Sequence, residues 1–153
     1  MIRTLYLDTS VISMHDDDRS PERRDMTREF WEKAAAGGLS MCISEITLEE
    51  VAATRGLSRR DQMLRRLEGL PVLRVDSSVR DLARLYLDRL ILPASVPDDA
   101  LHIALATRAK LDVIVSWNFK HFVNLRRKAA IHALHQALDL PAIAIVSPPE
   151  AVP

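Results

Sequence analysis

Short apolar runs of strand length alternate with stretches whose apolar residues recur at helical spacing, from one end of the chain to the other. Leu5-Tyr6-Leu7, Met41-Cys42-Ile43, Val72-Leu73-Arg74-Val75, Asp112-Val113-Ile114-Val115-Ser116 and residues 142–146 have strand character. Between them the pattern predicts a short helix at 10–14 and a longer one from Glu22, carrying Met26, Phe30, Trp31 and Ala34 and stopped by Gly37-Gly38. Further helices are predicted at 44–54, at 57–70 before Pro71, from Ser77 to about Leu90, at 98–109 and at 124–138. Strands alternating with helices predict an α/β fold, a three-layer α/β/α sandwich with a parallel sheet of about five strands covered on both faces. The last residues read as a Pro-rich tail.

Acids stand where these elements end. The first strand stops on Asp8, followed by Thr9 and Ser10. In an open α/β sheet functional groups collect beyond the carboxyl ends of the strands, so a carboxylate there suits a hard cation or a catalytic acid. Glu50 lies three residues after Thr47, which is either a capping box with Thr47 as N-cap or a site acid. Glu49 and Glu50 point about 100° apart on a helix, so one of them faces solvent. Asp98 and Asp99 open a later helix; one carboxylate suffices as a cap, and Asp98 is given that part, leaving Asp99 for chemistry. His102, on the same turn, reads as a packed or hydrogen-bonded histidine rather than a ligand. The run Asp16-Asp17-Asp18 beside Ser and Pro reads as a solvated loop or cap. Arg59, Arg60, Arg65 and Arg66 read as a solvated helix face.

Composition narrows the class. The 153 residues, 48% hydrophobic and 27% charged, fit one domain over 1–153 with a substantial core. Lys plus Arg and Asp plus Glu are both 21, so a polyanion would have to be held by a local basic patch rather than by net charge. The single cysteine, Cys42, sits in an apolar run and excludes a disulfide framework or a Cys-based zinc site. With no charged leader and no long apolar segment, the expectation is a soluble, cytoplasmic protein with no membrane association.

Carboxylates gathered from separate elements repel one another until a cation neutralises them. Oxygen ligands without thiolate or imidazole favour Mg²⁺ or Mn²⁺, ions that suit phosphodiester hydrolysis by activating water and stabilising charge on phosphate.

Four pieces in order carry a family resemblance: Leu7-Asp8-Thr9-Ser10, then Ile43-Ser44-Glu45-Ile46-Thr47-Leu48-Glu49-Glu50-Val51, then Asp98-Asp99-Ala100-Leu101-His102-Ile103-Ala104, then Val115-Ser116-Trp117-Asn118-Phe119-Lys120-His121-Phe122. The chain resembles PIN-domain ribonucleases, particularly VapC-type toxins of toxin-antitoxin pairs. The resemblance implies a Mg²⁺- or Mn²⁺-dependent endoribonuclease whose metal-holding acids are Asp8, Glu50 and Asp99, and so favours the metal reading of Glu50. It implies that Ser10 orients a metal-bound water and that Asn118 orients water or phosphate. His121, Lys120 and Arg55 are the implied RNA contacts, with a wider basic patch drawn from Arg59 and Arg60 or from Arg126, Arg127 and Lys128. A homodimer and a cognate antitoxin that fills the acidic groove are implied as well.

The fourth piece departs from the pattern. Many relatives carry an Asp near the strand-end turn, where this chain has Asn118 and then His121. That departure favours the alternative of a catalytically weak or inactive PIN-like module binding RNA or protein. A haloacid-dehalogenase-like phosphatase also begins with Asp at a strand end, but it needs a second Asp where this chain has Ser10.

Overall fold

The computed structural model describes residues 3–95, 97–118 and 124–153. The strands are β1 (Thr4–Leu7), β2 (Ser40–Ser44), β3 (Val72–Leu73), β4 (Val113–Val115) and β5 (Ala144–Val146). They form one five-stranded sheet in the order β3-β2-β1-β4-β5, with every pairing parallel. The helices are α1 (Thr9–Ser13), α2 (Pro21–Ala36), α3 (Glu45–Ala52), α4 (Leu57–Leu67), α5 (Ser77–Asp88), α6 (Pro97–Arg108), α7 (Leu125–Ala137) and α8 (Pro148–Ala151), with a 3₁₀ turn at Met14–Asp16. The expected α/β/α sandwich is therefore present.

The period of two along the strands explains the layers. Leu5, Leu7, Ile43, Val113 and Val115 face one way, onto Val11, Ile12, Phe30, Ala34, Val51, Met63 and Leu67 from α1 to α4. Tyr6, Cys42, Ile114 and Ile145 face the other way, onto α5, α6 and α7. Strands buried on both faces read as continuous apolar runs, which is how they stand in the sequence. From β1 the chain moves outward to β2 and β3, then returns to the other side of β1 for β4 and β5. Beyond the carboxyl ends of β1 and β4 the sheet therefore has its topological switch point, where the adjoining connections diverge and leave a crevice.

Several local expectations are corrected. Ser44, not Thr47, is the N-cap of α3: its side chain accepts from Thr47 N–H. Glu50 is thus a mid-helix residue rather than the partner in a capping box. Asp76, one residue before Ser77, caps α5 by accepting from Val79 N–H at 2.9 Å. Because α6 starts at Pro97, Asp98 lies inside the first turn with Asp99, not at a cap. β3 is shorter than the apolar run from Val72 to Val75, and β5 starts at Ala144 rather than Ala142. The Pro-rich tail contains α8, opened by a capping box between Ser147 and Glu150. α2 does stop at the glycine pair, with Gly38 in the left-handed region at φ 65°.

The acid triplet is structural. Asp17 accepts from Arg19 at 2.9 Å, and those hydrogen bonds hold it down at about 2. Asp16 takes both amino groups of Arg66, at 2.9 and 3.2 Å, so Arg66 belongs to an inter-element ion pair and not to a solvated face.

On the opposite layer His135, 1% exposed, donates Nδ1–H to the Pro141 carbonyl at 2.9 Å. Its Nε2 therefore accepts from the Tyr86 hydroxyl at 2.5 Å. Burial, aided by the neighbouring His132, holds this imidazole below its ordinary range. The unfolded chain then takes up the proton first, so stability is complete at neutral pH and falls as the pH drops through about 6.5 toward the lower folded value. We expect His135→Gln to flatten the decline in melting temperature between about pH 7.5 and 5.5, measured against wild type by calorimetry; an unchanged slope would remove His135 as its source.

Candidate active site

β1 delivers Asp8 to the switch point, and Asp8 is the N-cap of α1. Its carboxylate is 4% exposed and takes three hydrogen bonds. Oδ1 accepts from Ser10 N–H at 3.0 Å and from the Ser10 hydroxyl at 2.5 Å, while Oδ2 accepts from the Ser116 hydroxyl at 2.8 Å. Each hydroxyl in turn accepts a backbone N–H from the segment leaving β4: Trp117 N–H to Ser10 Oγ and Asn118 N–H to Ser116 Oγ, both at 2.8 Å. A hydroxyl can donate once and accept twice, so two serines suffice to tie the end of β4 to the acid at the end of β1. Trp117 anchors the same segment, donating its indole N–H to Thr27 at 2.8 Å and lying under the Arg23 guanidinium at 5.4 Å.

Glu50 comes from α3 on one side and His102 from α6 on the other. Glu50 Oε1 accepts from the Thr9 hydroxyl at 3.0 Å and from His102 Nε2–H at 2.7 Å. His102 is 2% exposed, and its Nδ1 lies 2.5 Å from the hydroxyl of Tyr6, itself 2.8 Å from Ser44 Oγ. Asp99, in the first turn of α6, is half-buried and accepts long hydrogen bonds from the Asn118 amide at 3.4 and 3.5 Å.

The electrostatics follow from this placement. Burial pushes the Asp8 carboxyl up and the Glu50 charge adds to the rise, against His102 and the two serine hydrogen bonds. Burial would also raise Glu50, but the His102 hydrogen bond and charge outweigh it and hold Glu50 below its usual range. For His102 burial disfavours the cation, yet the Glu50 hydrogen bond and the charges of Asp8, Glu50 and Asp99 together leave it raised. Glu50 alone of the three acids bonds the buried imidazole, while Asp8 and Asp99 bear on it through their charge.

As a metal site the donor set is hard oxygen throughout. Among the described residues no three His, Cys, Asp or Glu side chains form a ready ion-binding group. Mg²⁺ keeps several waters and takes one or two carboxylates directly, so a spaced set of acids fits it where a four-ligand zinc cage would not. Glu50 Oε2 has no hydrogen bond among the described residues, since both of its donors go to Oε1. The residues present fit a hard divalent ion.

The structure brings Asp8, Ser10, Glu50, Asp99 and Asn118 to one edge. Arg55 is exposed just past α3. Arg59 donates to the Ser13 carbonyl at 3.2 Å, while Arg126 and Arg127 line a cleft of about 660 Å³ with Arg89 and Asn124. His121 and Lys120 lie outside the described residues. Sequence reasoning missed Thr9, Tyr6, Ser44 and Ser116, and set His102 aside. For His102 a signal existed: three residues after Asp99 on one helix it shares that face.

The fold and the site together define a parallel α/β/α domain with acids gathered at its switch-point edge. The chain belongs to the PIN domain family, whose model matches residues 5–122. Comparison with curated proteins gives no match. Among solved structures, a DNA-bound VapBC from Salmonella typhimurium is 23% identical, covering 97% of this chain and 99% of that one at a TM-score of 0.59. VapBC2 from Rickettsia felis, bound to a promoter DNA fragment, is 16% identical, covering 94% and 98% at 0.57. A toxin-antitoxin complex from Klebsiella pneumoniae, also 16% identical, covers 80% and 93% at 0.56. At these identities the likeness is one of fold.

Crowding of buried charge at Asp8 has a consequence for stability. Asn at position 8 keeps an oxygen for Ser10 and removes the ionic burden, so in chelator Asp8→Asn is expected to melt at or above wild type. Each 1 kcal/mol of relief corresponds to about 2–4 °C. Asp8→Leu, which orphans both serine hydroxyls, should melt lower. A calorimetric loss of several degrees in Asp8→Asn would mean that the ionised carboxylate stabilises the fold.

Proposed function

We propose that this chain is a Mg²⁺- or Mn²⁺-dependent endoribonuclease, the toxin of a type II toxin-antitoxin pair. The observation that carries the reading is the hydrogen-bonded chain at the switch-point edge: Asp8 of β1 is joined through Ser116 to Asn118, whose amide reaches Asp99 of α6, while Glu50 of α3 is bonded to Thr9, the residue after Asp8, and to His102 of α6. Asp8, Glu50 and Asp99 would hold the ion. When bound, it supplies charge neutralisation at the phosphate and lowers the pKa of a coordinated water.

The chain's own groups do the positioning. Ser10 and Ser116 fix both oxygens of Asp8, so that carboxylate does not reorganise as charge develops. Asn118, its amide already turned toward Asp99, is placed to orient water or a phosphate oxygen. The cleft lined by Arg89, Arg126 and Arg127 supports phosphate contacts without base reading, and Arg55, Lys120 and His121 are proposed as further contacts to the strand. The VapBC complexes among the structural relatives support a cognate antitoxin as partner. A homodimer acting in the cytoplasm completes the reading; among the described residues no helix is long and apolar enough to cross a membrane.

A second reading, a PIN-like module that binds RNA or protein with little or no cleavage, is favoured by Asn118 standing where a fourth acid would add charge. Purified protein with Mn²⁺ and a mixed RNA substrate separates the two. We expect cleavage that EDTA abolishes, and a loss of at least about 100-fold in Asp8→Asn and Asp99→Asn with their folds retained. Binding of RNA without any cleavage in Mn²⁺ would establish the module instead.

A further inference from the structure

The buried polar chain behind Glu50 has a shape that the metal-holding acids alone do not require. Ser44 Oγ caps α3 through Thr47 N–H and also bonds Tyr6 Oη at 2.8 Å; Tyr6 Oη meets His102 Nδ1 at 2.5 Å. His102 Nε2 reaches Glu50 at 2.7 Å, back on α3. The circuit thus starts and ends on the helix that carries Glu50 and passes through β1 and α6. Tyr6 and Ser44 are 0% exposed and His102 is 2% exposed. A carboxylate only accepts, so Nε2 carries the proton, and with both ring nitrogens engaged His102 has no lone pair left for an ion. Its bond and that of Thr9 both end on Oε1, leaving Oε2 without a hydrogen bond among the described residues.

Resting on the reading of Glu50 as a metal-holding acid, we propose that His102 is a positioning residue: with Thr9 it pins Glu50 Oε1 and so presents Oε2 as the ligand atom. Hydrogen bonds of this kind fix the orientation of a ligating carboxylate, and their removal costs about 10–100-fold in metal affinity. Ser44 and Tyr6 set the ring plane from behind. The histidine is thereby a part of the metal site that never touches the metal.

The test is Mn²⁺ affinity, read by electron paramagnetic resonance without RNA, on wild type, His102→Leu, His102→Gln and Thr9→Val, with melting temperatures taken in EDTA. Leucine keeps bulk and removes the donor; glutamine restores an N–H toward Glu50. We expect His102→Leu to bind Mn²⁺ about 10–100-fold more weakly, His102→Gln to recover most of that, and Thr9→Val to lose several-fold at an unchanged melting temperature. Wild-type or tighter affinity in His102→Leu overturns the proposal, as does a leucine-like loss in a well-folded His102→Gln. Should His102→Leu not fold, Thr9→Val decides by itself, and an undiminished affinity there overturns it. A wild type that takes up no Mn²⁺ overturns both this inference and the nuclease reading, whereas normal wild-type uptake with indifferent variants overturns this inference alone.

Discussion

The structure depends on a buried carboxylate held between two serines. Asp8 is nearly inaccessible, and an ionised acid in that position is tolerable only when its lone pairs are occupied. Ser10 and Ser116 supply three donors and leave one site on Oδ2, and because each hydroxyl also accepts a main-chain N–H, satisfying the acid fixes the path of the chain out of β4. The same atoms that make the charge bearable therefore place Trp117 and Asn118. In a sheet whose order reverses between β1 and β4, this tie fixes the switch-point edge where the candidate site lies.

Around that fixed point the remaining charge is balanced internally. Glu50 and His102 share a short contact, and the three acids together favour the imidazolium over the neutral ring against the effect of burial. Such a pair is costly to desolvate, and breaking it by removing one partner leaves the other uncompensated. On the proposed reading the acids are kept apart and partly paired, so that a divalent ion would meet oxygen donors already oriented. The ordinary hydrophobic layers carry the stability, with the two faces of the sheet filled by alternate residues of the same strands.

Much of this could be read along the chain. The alternation of apolar runs with helical stretches gave the parallel sheet and its two helical layers, because strands buried on both faces cannot hide their composition. Asp8 and Asp99 stand at element ends, where position follows from local pattern, whereas Glu50 sits inside α3. The caps were less legible. Thr47 with Glu50 has the spacing of a capping box, yet Ser44 three residues earlier takes the cap, and Asp76 displaces Ser77; several Ser, Thr and Asp residues stand near each helix start, and local pattern does not choose among them. Within the acid run at 16–18, Asp16 looked solvated because its partner Arg66 lies fifty residues away.

The sequence by itself determined the fold class, since the alternation of apolar runs with helical stretches is a short-range pattern; Asp8 and Asp99 stood out by ending a strand and opening a helix, while Glu50 was preferred as a site acid only on the family resemblance. Only the tertiary structure decided which oxygen of each acid is occupied and by what. Thr9 and His102 on Glu50, and Ser10 and Ser116 on Asp8, reach across β1, α3, α6 and the end of β4. The partner of a buried polar atom is fixed by three-dimensional packing, and spacing along the chain carries no record of it.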